Sequence, residues 1–140
     1  MTLFDIFLLY LAFRAKQVIC DFFLQTSWMA NVKGNPFNMG GAKALGAHAG
    51  IHGAFTFLLM LLFAPTLWWM GAVDFLVHAF IDKVKGMITN KFGWTYKDFE
   101  YWWAFGVDQE AHNITHFAYI VAIVWAQGID LSAALPVLHP

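Results

Sequence analysis

Long apolar segments alternate with short polar ones along the chain. Four of them are close to the ~20 residues that a helix needs to cross a bilayer. They run approximately over residues 3–28, 42–63, 66–87 and 108–127. Gly, Asn and Pro are frequent over residues 31–41, which is typical of a loop. A tight turn around Pro65 should make the second and third segments an antiparallel hairpin. The pattern predicts an all-α, polytopic membrane four-helix bundle that forms a single domain over residues 1–140.

Composition favours a membrane protein and argues against two other classes. Hydrophobic residues make up 60% of the chain and charged residues only 12%, whereas a soluble domain has about 25% charged residues. The net charge of -1 gives no reason to expect a nucleic-acid partner. Cys20 is the only cysteine, so a framework of internal disulfides is excluded.

Basic residues set the expected topology. Lys33 and Lys43 flank the first loop, and the lysines from Lys83 to Lys97 lie in or beside the third. Neither the second turn nor either end of the chain contains Lys or Arg. The positive-inside rule then places the first and third loops in the cytoplasm. Both termini should therefore face the periplasm.

Ionisable side chains recur at intervals of four residues within the apolar segments. This spacing puts each set on one face of its helix. Because such groups are costly in a membrane, they normally face the bundle interior and mark a functional site. The sets are His48 with His52, Asp74 with His78 and Asp82, and Asp108 with His112 and His116. On the expected topology, these groups and Asp21 all lie in the cytoplasmic half of the bundle.

Imidazole and carboxylate groups together suit a divalent transition metal, with Zn²⁺ the first choice ahead of Fe or Mn²⁺. One ion takes about four ligands, so this many candidates indicate either two ions or aspartates that orient the histidines. The candidate ligands are His48, His52, Asp74, His78, Asp108, His112 and His116. Asp82 and Asp21 are left as candidate catalytic carboxylates. The alternative interpretation is a His–Asp network that holds the helices together or conducts a proton or an ion.

Four short motifs carry a resemblance to a known family. They are Cys20–Thr26 with Trp28–Ala30, His48–His52, His78–Asp82, and Asp108–His112 with His116. In these motifs, over about residues 15–120, the chain resembles the small bacterial and phage inner-membrane proteins known as domain of unknown function 3307. The resemblance implies a multi-pass inner-membrane location, but it does not indicate which reaction, if any, the protein catalyses. More remotely, the His/Asp layout is similar to that of small membrane proteins labelled metal-dependent hydrolases, a likeness of fold and ligand type.

Three functions are consistent with these patterns. The leading hypothesis is a membrane-embedded metal-dependent hydrolase that acts on a lipid or lipid-linked substrate at the cytoplasmic leaflet. The second is a protein that binds or transports a metal ion or a proton. The third is a small membrane interaction or exclusion protein with a structural His–Asp network. The expected partners are membrane lipids and a second copy of the chain, since a dimer would bury Arg14.

Overall fold

The computed structural model of the protein describes residues 2–35 and 38–128, and every regular element in these ranges is helical. This confirms the predicted all-α class. His139 lies outside the described residues. The helices are α1 (Leu3–Val18), α2 (Ser27–Val32), α3 (Met39–Phe63), α4 (Met70–Phe92) and α5 (Phe99–Ala126). A turn of π-helix (Ile19–Phe23) extends α1, and a short 3-10 turn (Pro65–Leu67) joins α3 to α4.

Side-chain caps explain where several of the helices begin. The oxygens of Thr2, Thr26 and Asn38 accept backbone N–H groups from the first turns of α1, α2 and α3, which satisfies donors that the helix leaves unpaired. Before α5, the Asp98 carboxylate accepts the backbone N–H and the hydroxyl of Thr95, and these bonds lower the pKa of Asp98.

Several predicted segment boundaries differ from the structure, among them both ends of the third segment, which is helical over Met70–Phe92. The first segment does not continue as one helix to residue 28, because the backbone N–H of Leu24 bonds five residues back to Ile19 and Thr26 caps a new helix. The last helix begins at Phe99, nine residues before the predicted start at residue 108 and close to Tyr101, the earlier start that the sequence also allows. Residues 99–107 are mostly aromatic or apolar, with Glu100 as the one charged residue, and the helix continues through them without a break.

The predicted hairpin of α3 and α4 is confirmed. His48 lies beside His78, and Gly53 lies beside Gly71, so the two helices run antiparallel. The closest approach is at the glycines, where a Cβ on Gly53 would lie 2.7 Å from the Gly71 carbonyl oxygen. The sequence has a stripe of small residues, Ala42, Gly46 and Gly50, with Gly53 beside it, which predicts close helix packing. That prediction is confirmed at Gly53 and wrong at Gly46 and Gly50, because a Cβ at either of these two positions would meet no atom within 4 Å.

Two matched glycine substitutions test this packing. Gly53→Ala should lower the free energy of unfolding by about 1–3 kcal/mol, because its Cβ meets backbone that cannot move aside cheaply. Gly50→Ala should instead raise thermal stability in detergent slightly, since alanine favours a helix by up to ~1 kcal/mol and its Cβ has open space. Equal effects of the two substitutions on the melting temperature would contradict the described packing.

The described helices do not meet the expectation of four membrane spans. By length and composition, α3 (Met39–Phe63) alone among the described residues qualifies as a candidate span. The α1 helix is only 16 residues long, and α4 carries the charged residues Asp74, Asp82, Lys83 and Lys85. The multi-pass topology and the periplasmic termini are therefore not supported by these criteria.

The distribution of side chains in the bundle is unusual. About half of the buried residues are polar or charged. Many large apolar side chains lie on the outside, with Trp125 84% exposed, Leu62 77% exposed and Phe117 62% exposed. An isolated exposed apolar residue needs no explanation, but an extended apolar surface normally faces a membrane or a partner.

Candidate metal centre

The bundle interior is apolar at one end and polar towards the other. The apolar end is formed by the first half of α1 and the last turns of α3 and α5, with the start of α4. Its buried core consists of Leu9, Phe13, Met60, Ala64, Met70, Tyr119, Ile120, Ile123 and Val124. Polar residues from α1, α3, α4 and α5 follow in successive layers towards the opposite end. The predicted convergence of polar groups from separate segments is therefore present in the fold.

The first group of candidate ligands contains Asp21, His48, His52 and His78, whose ligand atoms all lie within 4.8 Å of one another. The Oδ1 atom of Asp21 lies 3.1 Å from Nε2 of His52 and 3.3 Å from Nε2 of His48. Nε2 of His78 is 3.3 Å from Nε2 of His48. The three histidines are fully buried. The π-helical turn brings Asp21 to this position from the end of α1.

The second group contains His78, Asp82 and His112, again within 4.8 Å of one another. Oδ1 of Asp82 lies 3.5 Å from Nε2 of His112, and its Oδ2 lies 3.5 Å from Nε2 of His48. The Asp82 carboxylate therefore faces both groups. Asp108 extends the second group, with Oδ1 3.7 Å from Nε2 of His112.

Stacked imidazole rings form the centre of the site. The ring centroids of His52 and His78 are 3.6 Å apart, and those of His78 and His112 are 3.9 Å apart. Nε2 of His112 and Oδ1 of Asp108 are buried and have no hydrogen-bond partner among the described residues. Buried polar atoms without a partner are rare in folded proteins. Nε2 of His112 is an atom that a cation would satisfy, and Oδ1 of Asp108 lies beside it.

Neighbouring side chains orient the carboxylates. Gln17 and Gln109 donate to Oδ2 of Asp21 at 2.7 and 2.8 Å, which leaves Oδ1 facing the histidines. Lys33 donates to Oδ2 of Asp82 at 2.7 Å. The sequence offers Gln25 and Gln109 as groups that could orient ligands or substrate, and Gln109 contacts the Asp21 carboxylate. It also offers Lys83 as a partner of the adjacent Asp82, and Lys33, which follows α2, is a partner of this carboxylate in the structure.

Asp74 and His116 were predicted ligands, but the structure does not bring them together with the others. Asp74 forms a buried ion pair with Lys16 and accepts the Thr56 hydroxyl at 2.8 Å. Nζ of Lys16 also lies 3.0 Å from Nε2 of His116. These residues form a separate layer between the metal-ligand candidates and the apolar core, and the Lys16 ammonium already supplies its positive charge. The sequence leaves Asp21 open as a ligand or as a partner of Arg14 or Lys16. In the structure, Lys16 pairs with Asp74 and Arg14 donates to Asn113, while Asp21 lies among the ligand atoms.

The remaining predicted residues fall into the two groups as follows. His48, His52, His78 and His112 lie together, as expected of ligands. Asp21 and Asp82, predicted as catalytic carboxylates, stand among the ligand atoms themselves. Asp108, predicted as a ligand, lies at the edge of the second group. Lys33 and Gln17 contact carboxylates of the site, and the spacing of histidines and aspartates does not predict them.

A polar cavity of about 150 Å³ opens the site towards the surface. All three carboxylates of the two groups, those of Asp21, Asp82 and Asp108, line it. Lys33 and Lys85 line it as well. The cavity lies at the end of the bundle opposite the apolar core, so small polar molecules have access to the candidate ligands from this end.

Comparison with known proteins gives a family without an assigned activity. No curated protein and no solved structure is significantly similar to the chain. The sequence profile that does match extends over residues 7–139, which includes every residue of the two ligand groups. The chain belongs to the family described as Protein of unknown function (DUF3307).

Proposed function

We propose that the protein is a membrane-embedded, metal-dependent hydrolase whose centre holds one or two divalent transition-metal ions, with Zn²⁺ the first choice. The observation that carries the proposal is the pair of buried His/Asp groups that share His78, each with its ligand atoms within 4.8 Å. Helix bundles build metal sites in this way, from side chains on facing helices. Imidazole nitrogen and carboxylate oxygen are ligands that Zn²⁺ accepts.

The apolar surface supports the membrane location. Large apolar side chains cover the outside of helices whose buried faces carry His, Asp and Lys. A hydrocarbon environment favours this distribution, because it stabilises the outer surface and forces ionisable groups to pair inside. The α3 helix is a candidate span by length and composition. The other helices carry the polar residues of the site on their inner faces, which lowers their mean hydropathy.

Access to the site from one end favours hydrolysis over transport. The polar cavity reaches the carboxylates at one end of the bundle, while the buried apolar core closes the other end. A transport path would need polar access from both ends. A divalent ion held by these residues would supply Lewis acidity and would lower the pKa of a nearby water to ~7. The chain's own part is to hold ligands and to accept a proton near that water.

Asp108 is best placed to accept this proton. It lines the cavity, and its Oδ1 atom is buried without a hydrogen-bond partner among the described residues. Asp21 and Asp82, the sequence-based candidates for this role, lie closer to the histidines and serve better as ligands. A carboxylate within reach of the attacking water is what general-base catalysis requires.

An Asp108→Asn variant separates catalysis from metal binding. It should keep the metal but lose about 10²–10⁴-fold in hydrolytic rate, the usual contribution of a general base. The measurement is mass spectrometry of products after metal-loaded protein is incubated with bacterial polar lipids in mixed micelles. A Glu110→Gln variant is the matched control, because Glu110 lies outside both ligand groups. Unchanged turnover in Asp108→Asn would exclude Asp108 as the base.

The structural interpretation of the His–Asp network fits one layer of the bundle. Lys16, Asp74 and His116 with Thr56 form a contact among α1, α3, α4 and α5 that needs no metal. This layer supports the hypothesis of a staple that holds the helices together. The two ligand groups are not part of this layer, and their unpaired buried atoms remain available to a metal ion.

A further inference from the structure

We propose that the protein binds a phospholipid with an anionic headgroup, with the phosphate between Lys33 and Lys85 and an acyl chain in the groove between α4 and α5. The binding site rests on the proposed function, because its charge balance depends on a bound metal. It adds a substrate class that neither the family nor the metal centre specifies. Two adjoining cavities and the residues that they share carry the inference.

The apolar part of the site is a groove of about 400 Å³ between α4 and α5. Except for three charged residues, Lys85, Glu100 and Asp108, its lining is apolar or aromatic. The apolar lining includes Phe80, Ile81, Val84, Ile88, Trp103 and Val107. The groove runs along α4 and α5 and is lined mainly by apolar side chains, so it suits a hydrocarbon chain. Each CH₂ group that the groove takes out of water favours binding.

The groove and the polar cavity meet at two residues. Lys85 and Asp108 line both of them, so one molecule can occupy the groove and reach the metal ligands. The Lys85 ammonium lies over the rings of Tyr101 and Phe105, at 5.4 and 5.8 Å from their centroids. These rings hold the ammonium at the junction, where a headgroup attached to the buried chain would lie.

Lys33 is the second cation of the cavity. The loop after α2 packs closely on α4, where a Cβ on Gly86 would lie 2.9 Å from the Gly34 carbonyl oxygen. This contact positions Lys33, whose Nζ atom lies 2.7 Å from Oδ2 of Asp82. Lys33 and Lys85 also line a second surface cavity beside the first. Two lysines at one entrance are a recognition feature for a phosphate group.

The charge of the cavity explains why the ligand is coupled to the metal. Three aspartates and two lysines line it, which gives a formal charge of -1 and would repel a phosphate. One divalent ion changes this sum to +1, and two ions change it to +3. Anionic lipid should therefore bind the metal-loaded protein much better than the metal-free protein, whereas a zwitterionic lipid should show a far smaller difference.

Native mass spectrometry in a non-ionic detergent tests the proposal. The probes are phosphatidic acid, phosphatidylcholine and diacylglycerol with identical acyl chains, each added to metal-loaded and to metal-stripped protein. We expect phosphatidic acid to bind the loaded protein at least about tenfold more tightly than the other two lipids, the difference that one charge-assisted contact supplies. We expect that preference to disappear when the metal is removed.

Two variants and a control locate the site. Lys85→Gln should weaken phosphatidic acid binding about tenfold, while Lys43→Gln should not, since Lys43 is exposed and lines neither cavity. Ala104→Phe should block the groove, which Ala104 lines, and weaken all three lipids without a change of charge. Competition between inorganic phosphate and phosphatidic acid tests whether the site binds a soluble anion rather than a lipid.

The outcomes are distinguishable. If the metal binds but the three lipids bind equally, or Lys85→Gln has no effect, the lipid site is wrong and the metal centre stands. If Ala104→Phe leaves binding unchanged while inorganic phosphate competes fully, the ligand is a soluble anion and the groove is not its site. If no metal binds under any condition, both the lipid site and the proposed function are wrong.

Discussion

Replacing Lys16 with methionine should destabilise the protein by about 3–5 kcal/mol, the largest effect on stability that we expect from a single substitution. Lys16 is buried and forms an ion pair with Asp74, which is buried as well. Removing one partner of such a pair leaves a buried charge without compensation, and the cost comes from the charge that remains. Thermal unfolding in detergent, followed by circular dichroism, measures the loss.

A double substitution tests the physical cause. If the penalty comes from the unpaired carboxylate, Lys16→Met combined with Asp74→Asn should recover most of the lost stability, because the asparagine is neutral and still accepts the Thr56 hydroxyl. Lys97→Met is the control, since Lys97 is exposed and stands before α5. If the double variant were no more stable than Lys16→Met alone, the ion pair would not be the source of the effect.

The second large effect is expected from His78→Ala, which should abolish stabilisation by metal. His78 belongs to both ligand groups, so its loss disturbs both at once. For the wild type, Zn²⁺ at a hundredfold excess over its Kd should raise the free energy of unfolding by about 2.7 kcal/mol. The variant should show almost none of this increase. The melting temperature with and without Zn²⁺ gives the comparison.

His116→Ala is the matched control for this experiment. His116 is also a buried histidine, but it lies beside Lys16 and belongs to neither ligand group. Its loss should lower the melting temperature in the absence of metal and leave the increase caused by Zn²⁺ intact. Equal loss of the Zn²⁺ effect in both variants would mean that the metal binds elsewhere, or that the His116 layer and the ligand groups act together.

The sequence predicted the helical class and the α3–α4 hairpin correctly, because both follow from local signals. Hydrophobic segments of suitable length and the turn at Pro65 were sufficient for them. The break in the first segment was not visible, since a π-helical turn at Ile19–Phe23 leaves no distinct periodicity. The expectation of four membrane spans is not supported, because α3 alone among the described helices qualifies by length and composition.

The candidate site was predicted in part, for a related reason. The spacing of four residues correctly put His48 with His52, and His78 with Asp82, on the inner faces of their helices. The same spacing does not say at which level of the bundle a side chain meets its neighbours. Asp74 and His116 share those inner faces, but they lie one layer nearer the apolar core, where Lys16 compensates the charge. Only the packing of α1 against the other helices settles that difference.

The metal content of the purified protein tests the central claim most directly. The protein would be purified in detergent, incubated with Zn²⁺ or Mn²⁺, freed of unbound metal and analysed by inductively coupled plasma mass spectrometry. A variant with both His52→Ala and His112→Ala removes one ligand candidate from each group, and His116→Ala serves as the control. We predict about one or two ions per chain in the wild type and the control, and none in the double variant. Two results would contradict the metal centre. One is a wild-type protein that retains no metal after incubation with either Zn²⁺ or Mn²⁺, and the other is an equal metal content in all three proteins.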